Sequence, residues 1–125
     1  MAIGSIVHFE IPSKDHDATK KFYSELLGWQ FQAQPMPGGN GEYHSTYFNE
    51  TGIGGGLSDI SEHNQPGDVI VYFGTDNLDA DLKKVEELGG KVAMPRTEIP
   101  GMGSFAVFED VVGNRLALWQ NAEKE

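Results

Sequence analysis

Apolar residues change their spacing along this chain in a way that marks elements twice over. Residues 5–11 (Ser-Ile-Val-His-Phe-Glu-Ile) and 68–75 (Asp-Val-Ile-Val-Tyr-Phe-Gly-Thr) are rich in β-branched and aromatic side chains and read as strands. After each strand the spacing becomes helical. Ala18, Phe22 and Leu26 recur every fourth residue, with Asp15 or Asp17 as the cap and Gly28 as a left-handed stop. Leu78, Leu82, Val85 and Leu88 form the second stripe, with Asn77 or Asp79 as its cap and Gly89-Gly90 as its end. Three shorter strands follow each helix: 29–34, 43–49 and 53–58, then 91–94, 104–109 and 115–121. Breaks carrying Gly or Pro separate them, at 37–41, 50–52, Pro95, Pro100-Gly101 and 112–114. The polar stretch 59–67 reads as a linker.

The two halves match at an offset of 62 residues without a gap. Val7 falls on Val69, Asp17 on Asp79, Ala18 on Ala80, Lys21 on Lys83, Glu25 on Glu87, Leu26 on Leu88 and Gly28 on Gly90. The order is βαβββ–βαβββ, an α+β class. Two helices cannot cover both faces of eight strands, so a curved mixed sheet with a concave face is expected. The hollow would take a small molecule.

Length and composition narrow the picture. The chain has 125 residues, which fits one domain with repeat halves near 3–60 and 66–122. It has no cysteine, no basic leader and no apolar run long enough to span a membrane, so a cytoplasmic protein is expected. Its net charge is −10 with only nine Lys and Arg, a poor match for nucleic acid. Sixteen glycines imply many tight turns or close backbone approaches.

Several segments resemble the vicinal-oxygen-chelate (glyoxalase/bleomycin-resistance/dioxygenase) superfamily. They are His8-Phe9-Glu10-Ile11-Pro12, and Phe22-Tyr23 leading to Leu26-Leu27-Gly28-Trp29. In the second half they are Glu86-Glu87-Leu88-Gly89-Gly90 and Phe108-Glu109-Asp110 through Gly113-Asn114 into Leu116-Ala117-Leu118-Trp119. Val111-Val112 stand where that family usually has Pro-x. The start His-Phe-Glu-Ile-Pro and the loop Thr97 to Gly101 are similar to a small glyoxalase-related subgroup. The resemblance implies a glyoxalase-like fold around a small-molecule cleft. It implies either a lyase- or isomerase-like enzyme, or a binding protein of the bleomycin-resistance type. Together with the sheet edges that two such halves leave open, it also implies a homodimer.

Enzymes of that family hold a divalent metal with ligands from the first and last strand of each half. The resemblance carries those positions onto His8, a site near Gly56, about Ile70 and about Ala117. His8 is a ligand; the other three offer none. A shift of one residue does not help, because Leu57, Val69, Val71, Leu116 and Leu118 cannot ligate either. The usual four-ligand metal site is therefore expected to be absent, and no cofactor is expected. A different site using His8, Glu10 and a further residue stays open.

His8 and Glu10 are two apart on a strand and so share a face. A carboxylate beside an imidazole orients it for general acid–base work. The plainer reading is a polar pair hydrogen-bonded within a half-buried sheet, and both readings stand. By the same alternation Tyr72 shares a face with Ile70, and Trp119 with Ala117, giving a pocket aromatic walls or simply packing a core. Gly54-Gly55-Gly56 allows close approach of a ligand or marks a bulge, and is not a phosphate loop. Residues 97–103 form either a lid or a plain connection. His16 and His63 are expected at the surface, and the face taken by His44 is not legible.

Overall fold

A computed structural model describes residues 4–35, 42–46, 53–62 and 64–122. The expected turns at 37–41 and 50–52, the last residues of the expected strand 43–49, and His63 lie outside the described residues. Ten elements run in the order β1 (Ile6–Ser13), α1 (His16–Leu27), β2 (Phe31–Pro35), β3 (Glu42–Thr46), β4 (Gly54–Asp59), β5 (Ile70–Gly74), α2 (Leu78–Glu87), β6 (Lys91–Ile99), β7 (Gly103–Glu109) and β8 (Arg115–Asn121). The class is α+β, and the glyoxalase-like succession of strand, helix and three strands occurs twice.

The chain divides into two compact units. One is His8–Val69, a length equal to the repeat offset read from the sequence. The other joins Ile70–Glu125 to the segment ending at Val7. Strand order is β2-β3-β4-β1 in the first unit and β6-β7-β8-β5 in the second, the same topology twice. In each, the last three strands form an antiparallel meander, and the fourth lies parallel to the first. Parallel neighbours need a long crossover, and the helix supplies it.

Both helices begin and end on recognisable chemistry. Asp15 caps α1, its carboxylate accepting from Ala18 N at 3.0 Å, and Gly28 closes it at φ 74°. Asn77 caps α2, accepting from Ala80 N at 3.1 Å. Gln120 reaches across from β8 to accept from Leu78 N at 2.8 Å. Leu78 is fully buried, so α2 docks through the expected stripe of Leu78, Leu82 and Val85. Leu88 falls beyond the helix and is exposed.

The first helix departs from expectation. None of its residues is buried, and two of its stripe, Phe22 and Leu26, are 58% and 63% exposed. Polar and aromatic tethers hold it instead. Thr19 and Ser13 share a hydrogen bond of 2.8 Å, and His16 Nε2 meets Asp59 Oδ1 at 2.9 Å. Lys20 Nζ donates to His44 Nδ1 at 3.2 Å. The Tyr23 ring stacks on Trp29, with centroids 5.2 Å apart. Trp29 in turn meets Phe9 at 5.7 Å and Phe31 at 6.3 Å. Such ring pairs contribute about 0.5–1.5 kcal/mol each beyond their burial. The side of α1 that faces its sheet is therefore the one carrying His16, Thr19, Lys20 and Tyr23, one turn apart on the helix.

β6 is longer than the expected strand 91–94, because Pro95 does not end it. The pairing with β7 shifts register on either side of Met94, and the strand then continues to Ile99. A proline is tolerated where a strand has one paired neighbour and a bulge, since no ladder donor is lost there. Residues 97–99 thus pair with 103–105 as a hairpin closed by a tight turn.

The turn between β7 and β8 is organised by one carboxylate. Asp110 accepts from Asn114 N and Val112 N, each at 2.9 Å, and from Asn114 Nδ2 at 3.0 Å. The backbone N–H of Asn114, foremost among these donors, holds the Asp110 carboxyl below the usual aspartate range. A carboxyl lowered in the folded state adds stability above its unfolded value of about 3.9, and that stability is lost as pH falls through the lower folded value. Asp110→Asn is expected to melt below the wild type at pH 7. The gap should narrow as pH drops below about 4 in a calorimetric series; a gap independent of pH would remove this role.

Candidate functional site

In the unit His8–Val69, strand alternation sorts side chains into two sets. Phe9, Ile11 and Ser13 of β1 lie on the α1 side, as the contacts with Trp29 and Thr19 require. His8 and Glu10 therefore lie on the opposite face. The register sets Glu10 beside Gly56 of β4, and Gly56 beside Ser45 of β3, in one row. Tyr43, two residues before Ser45, shares this face. His44 takes the α1 face, where Lys20 and His16 meet it.

Three polar groups converge there. Glu10 Oε2 accepts from the Tyr43 hydroxyl and pairs with His8 Nε2, both at very short range. His8 Nε2 lies 3.0 Å from the same hydroxyl. An ionised carboxylate only accepts, so the imidazole nitrogen against it carries a hydrogen. The His8 and Glu10 side chains are 21% and 12% exposed. The cluster is thus half-buried, where hydrogen bonds to charge are stronger than in open water.

The glycines of β4 make this possible. A Cβ on Gly56 would overlap the Tyr43 hydroxyl, and one on Gly55 would overlap the Phe9 ring. Adjacent residues face opposite ways, so each missing side chain seats an aromatic ring on its own face. Gly56 therefore lies beneath the phenol of Tyr43. That tyrosine was not singled out in the sequence. Its only signal there was the alternation that pairs it with Ser45, and the ring's diagonal reach to β1 has no one-dimensional trace.

Two buried hydroxyls sit on the same face. Ser45 is 0% exposed, and among the described residues neither its Oγ nor the buried Oγ of Ser58, two residues beyond Gly56, has a hydrogen-bond partner. An unmatched buried hydroxyl costs about 1–3 kcal/mol.

In the other unit, α2 lies on the face carrying Gln120. Ala117 and Trp119 therefore lie on the face away from it. Tyr72 pairs with Ala117, and Phe105 with Trp119, so these rings and Ile70 share that face. Tyr72 and Phe105 meet at 6.1 Å, Ile70 and Ala117 are buried, and Trp119 Nε1 donates to Asn121 Oδ1 at 2.7 Å. The centre of this face is apolar and aromatic, with the Glu109–Arg115 pair at one end, whereas its counterpart in the first unit is polar.

The donor set does not suit the family's usual metal. Only His8 among the four carried-over positions has a ligating atom, and at Gly56 a phenol stands where a ligand side chain would begin. Among the described residues, no three His, Asp or Glu side chains are placed to hold an ion together.

A duplicated α+β protein with His8, Glu10 and Tyr43 clustered on one module defines the class. The glyoxalase/bleomycin resistance protein/dioxygenase superfamily matches residues 5–118, and the chain belongs to that superfamily. It is 30% identical to the anthracycline biosynthesis protein DnrV of Streptomyces peucetius, covering 99% of this chain and 50% of that one. It is 32% identical to a glyoxylase-like domain-containing protein of Didymella fabae, covering 92% of each. The chain spans about half the length of the first curated relatives it matches, 43% of one from Mycobacterium tuberculosis and 50% of DnrV. Among solved structures, methylmalonyl-CoA epimerase from Mycobacterium tuberculosis superposes with a TM-score of 0.71 at 12% identity, over 97% of this chain and 90% of that one. That likeness concerns the fold. No helix among the described residues is long and apolar enough to cross a membrane.

Removing an unmatched buried hydroxyl should stabilise the fold. Ser45→Ala is expected to stabilise it by about 1 kcal/mol in urea unfolding; a destabilisation of that size would mean the hydroxyl is satisfied.

Proposed function

We propose that this chain is a small-molecule enzyme of the glyoxalase-related type, lyase- or isomerase-like, that moves protons with His8 and Glu10 and needs no bound metal. The observation that carries the reading is the contact of His8 Nε2 and the Tyr43 hydroxyl with one Glu10 oxygen. Glu10 is the proton acceptor, because an ionised carboxylate has only lone pairs to offer, whereas the His8 Nε2 and the Tyr43 hydroxyl each hold a hydrogen toward it. When substrate enters, the His8 Nε2–H that rests on Glu10 turns to the substrate oxygen on which negative charge develops, which frees a Glu10 lone pair. The proton leaves the substrate for Glu10 and the electron pair rests on that oxygen. Return of the proton to a neighbouring atom completes an isomerisation, whereas in the lyase form the electron pair expels the leaving group, which takes the proton from Glu10. A preorganised donor at a developing oxyanion does what a Lewis acid would otherwise do. The lack of donors at positions 56, 70 and 117 supports the metal-free form.

A second reading is a binding protein without chemistry. It is favoured by the group of Ile70, Tyr72, Phe105, Ala117 and Trp119 on one face, apolar and aromatic side chains that suit a flat apolar ligand. In both readings the chain is cytoplasmic, and it pairs with a second copy.

Turnover of α-oxo aldehydes and their thiol adducts, in chelator-treated buffer, separates the readings. His8→Ala and Glu10→Gln are each expected to lower kcat by about 10²-fold or more. Activity restored only by a divalent ion would overturn the metal-free reading. No turnover by the native protein, with tight binding of aromatic ligands kept in His8→Ala, would favour the binding protein. Light scattering at micromolar concentration should give twice the chain mass; a monomer mass would remove the pairing.

A further inference from the structure

The Tyr43 phenol sits where an outside ligand would be expected. Its oxygen rests over Gly56, donates to Glu10 and lies against His8 Nε2, the two groups that Proposed function assigns to proton transfer. Its ring is half-buried, so it is reachable from solvent. Extending the β3–β4 register by one pair sets Tyr43 opposite Ser58, and Ser45 follows it two residues on. The Ser45 and Ser58 hydroxyls, buried and without partners among the described residues, therefore flank this one ring. An arrangement that satisfies one phenol and leaves both neighbouring hydroxyls unmatched among the described residues is incomplete beside that ring.

We propose that Tyr43 is an internal stand-in for a phenolic ligand. A small molecule bearing an aryl hydroxyl displaces the Tyr43 ring from Gly56. Its hydroxyl then donates to Glu10 and accepts from His8 Nε2–H, while Ser45 and Ser58 meet polar atoms on the ring's flanks. The bare backbone of Gly56 is the floor of this seat. It is bare for the same reason with ligand as with tyrosine, because an oxygen must come within the reach of a Cβ. The proposal rests on the site reading above and names the ligand class that it takes.

The side-chain analogue p-cresol tests it directly, with toluene as the match lacking the hydroxyl. Titration calorimetry on Tyr43→Ala should give p-cresol binding at least tenfold tighter than toluene, and at least tenfold tighter than p-cresol binds the wild type. Adding Gly56→Ala to Tyr43→Ala should abolish p-cresol binding, since the methyl fills the position of the hydroxyl. Equal binding of p-cresol and toluene, or binding that survives Gly56→Ala, would overturn the proposal. If Tyr43→Ala does not fold, Tyr43→Leu keeps an apolar cover and is read the same way. Failure of catalysis leaves these titrations unaffected. Conversely, His8-dependent turnover without p-cresol binding would sink the seat and spare the acid–base centre.

Discussion

Two neighbouring residues of β4 that lack side chains are the constraint on which the module His8–Val69 depends. A strand turns successive positions to opposite faces, so Gly55 and Gly56 open one gap on each side of a single strand. Phe9 fills the first gap and passes it on to Trp29, Tyr23 and Phe31, the aromatic packing that anchors α1. Tyr43 fills the second gap and brings its hydroxyl to Glu10. Core and site are thus two consequences of the same absent atoms. A methyl at either position would meet a ring that has no room to retreat without giving up its partners.

The same topology serves two chemistries. Each module is a strand, a crossover helix and a three-strand meander, and each leaves one sheet face away from its helix. In one module that face carries His8, Glu10, Tyr43, Ser45 and Ser58. In the other it carries Ile70, Tyr72, Phe105, Ala117 and Trp119. A duplicated backbone preserves the positions of side chains while leaving their identities free, so a polar centre and an aromatic face arise at equivalent places. The helices differ in the same spirit. α2 buries a leucine-based stripe, whereas α1 is fastened by hydrogen bonds and stacked rings and turns Phe22 and Leu26 outward.

Most of the fold was legible because its signals are local. Strand composition, the switch to helical spacing, Asp15 and Asn77 as caps, and Gly28 as a stop all act within a few residues. The offset of 62 between halves equals the length of the unit His8–Val69, because a repeat copies whole modules. What misled was also local. Pro95 reads as a break, yet β6 runs through it on a bulge, since the cost of a proline depends on whether its missing N–H has a partner to lose.

The amino-acid sequence by itself determined the order of elements, their duplication, and that His8 and Glu10 share one face, because each follows from backbone periodicity and nearest-neighbour chemistry. Only the tertiary structure decided which faces meet the helices, that Gly56 is the seat of Tyr43, and that a phenol 33 residues away in sequence completes the pair on β1. Register across three strands brings those groups together. Register is fixed by the packing of the whole sheet and leaves no mark on any single stretch of chain.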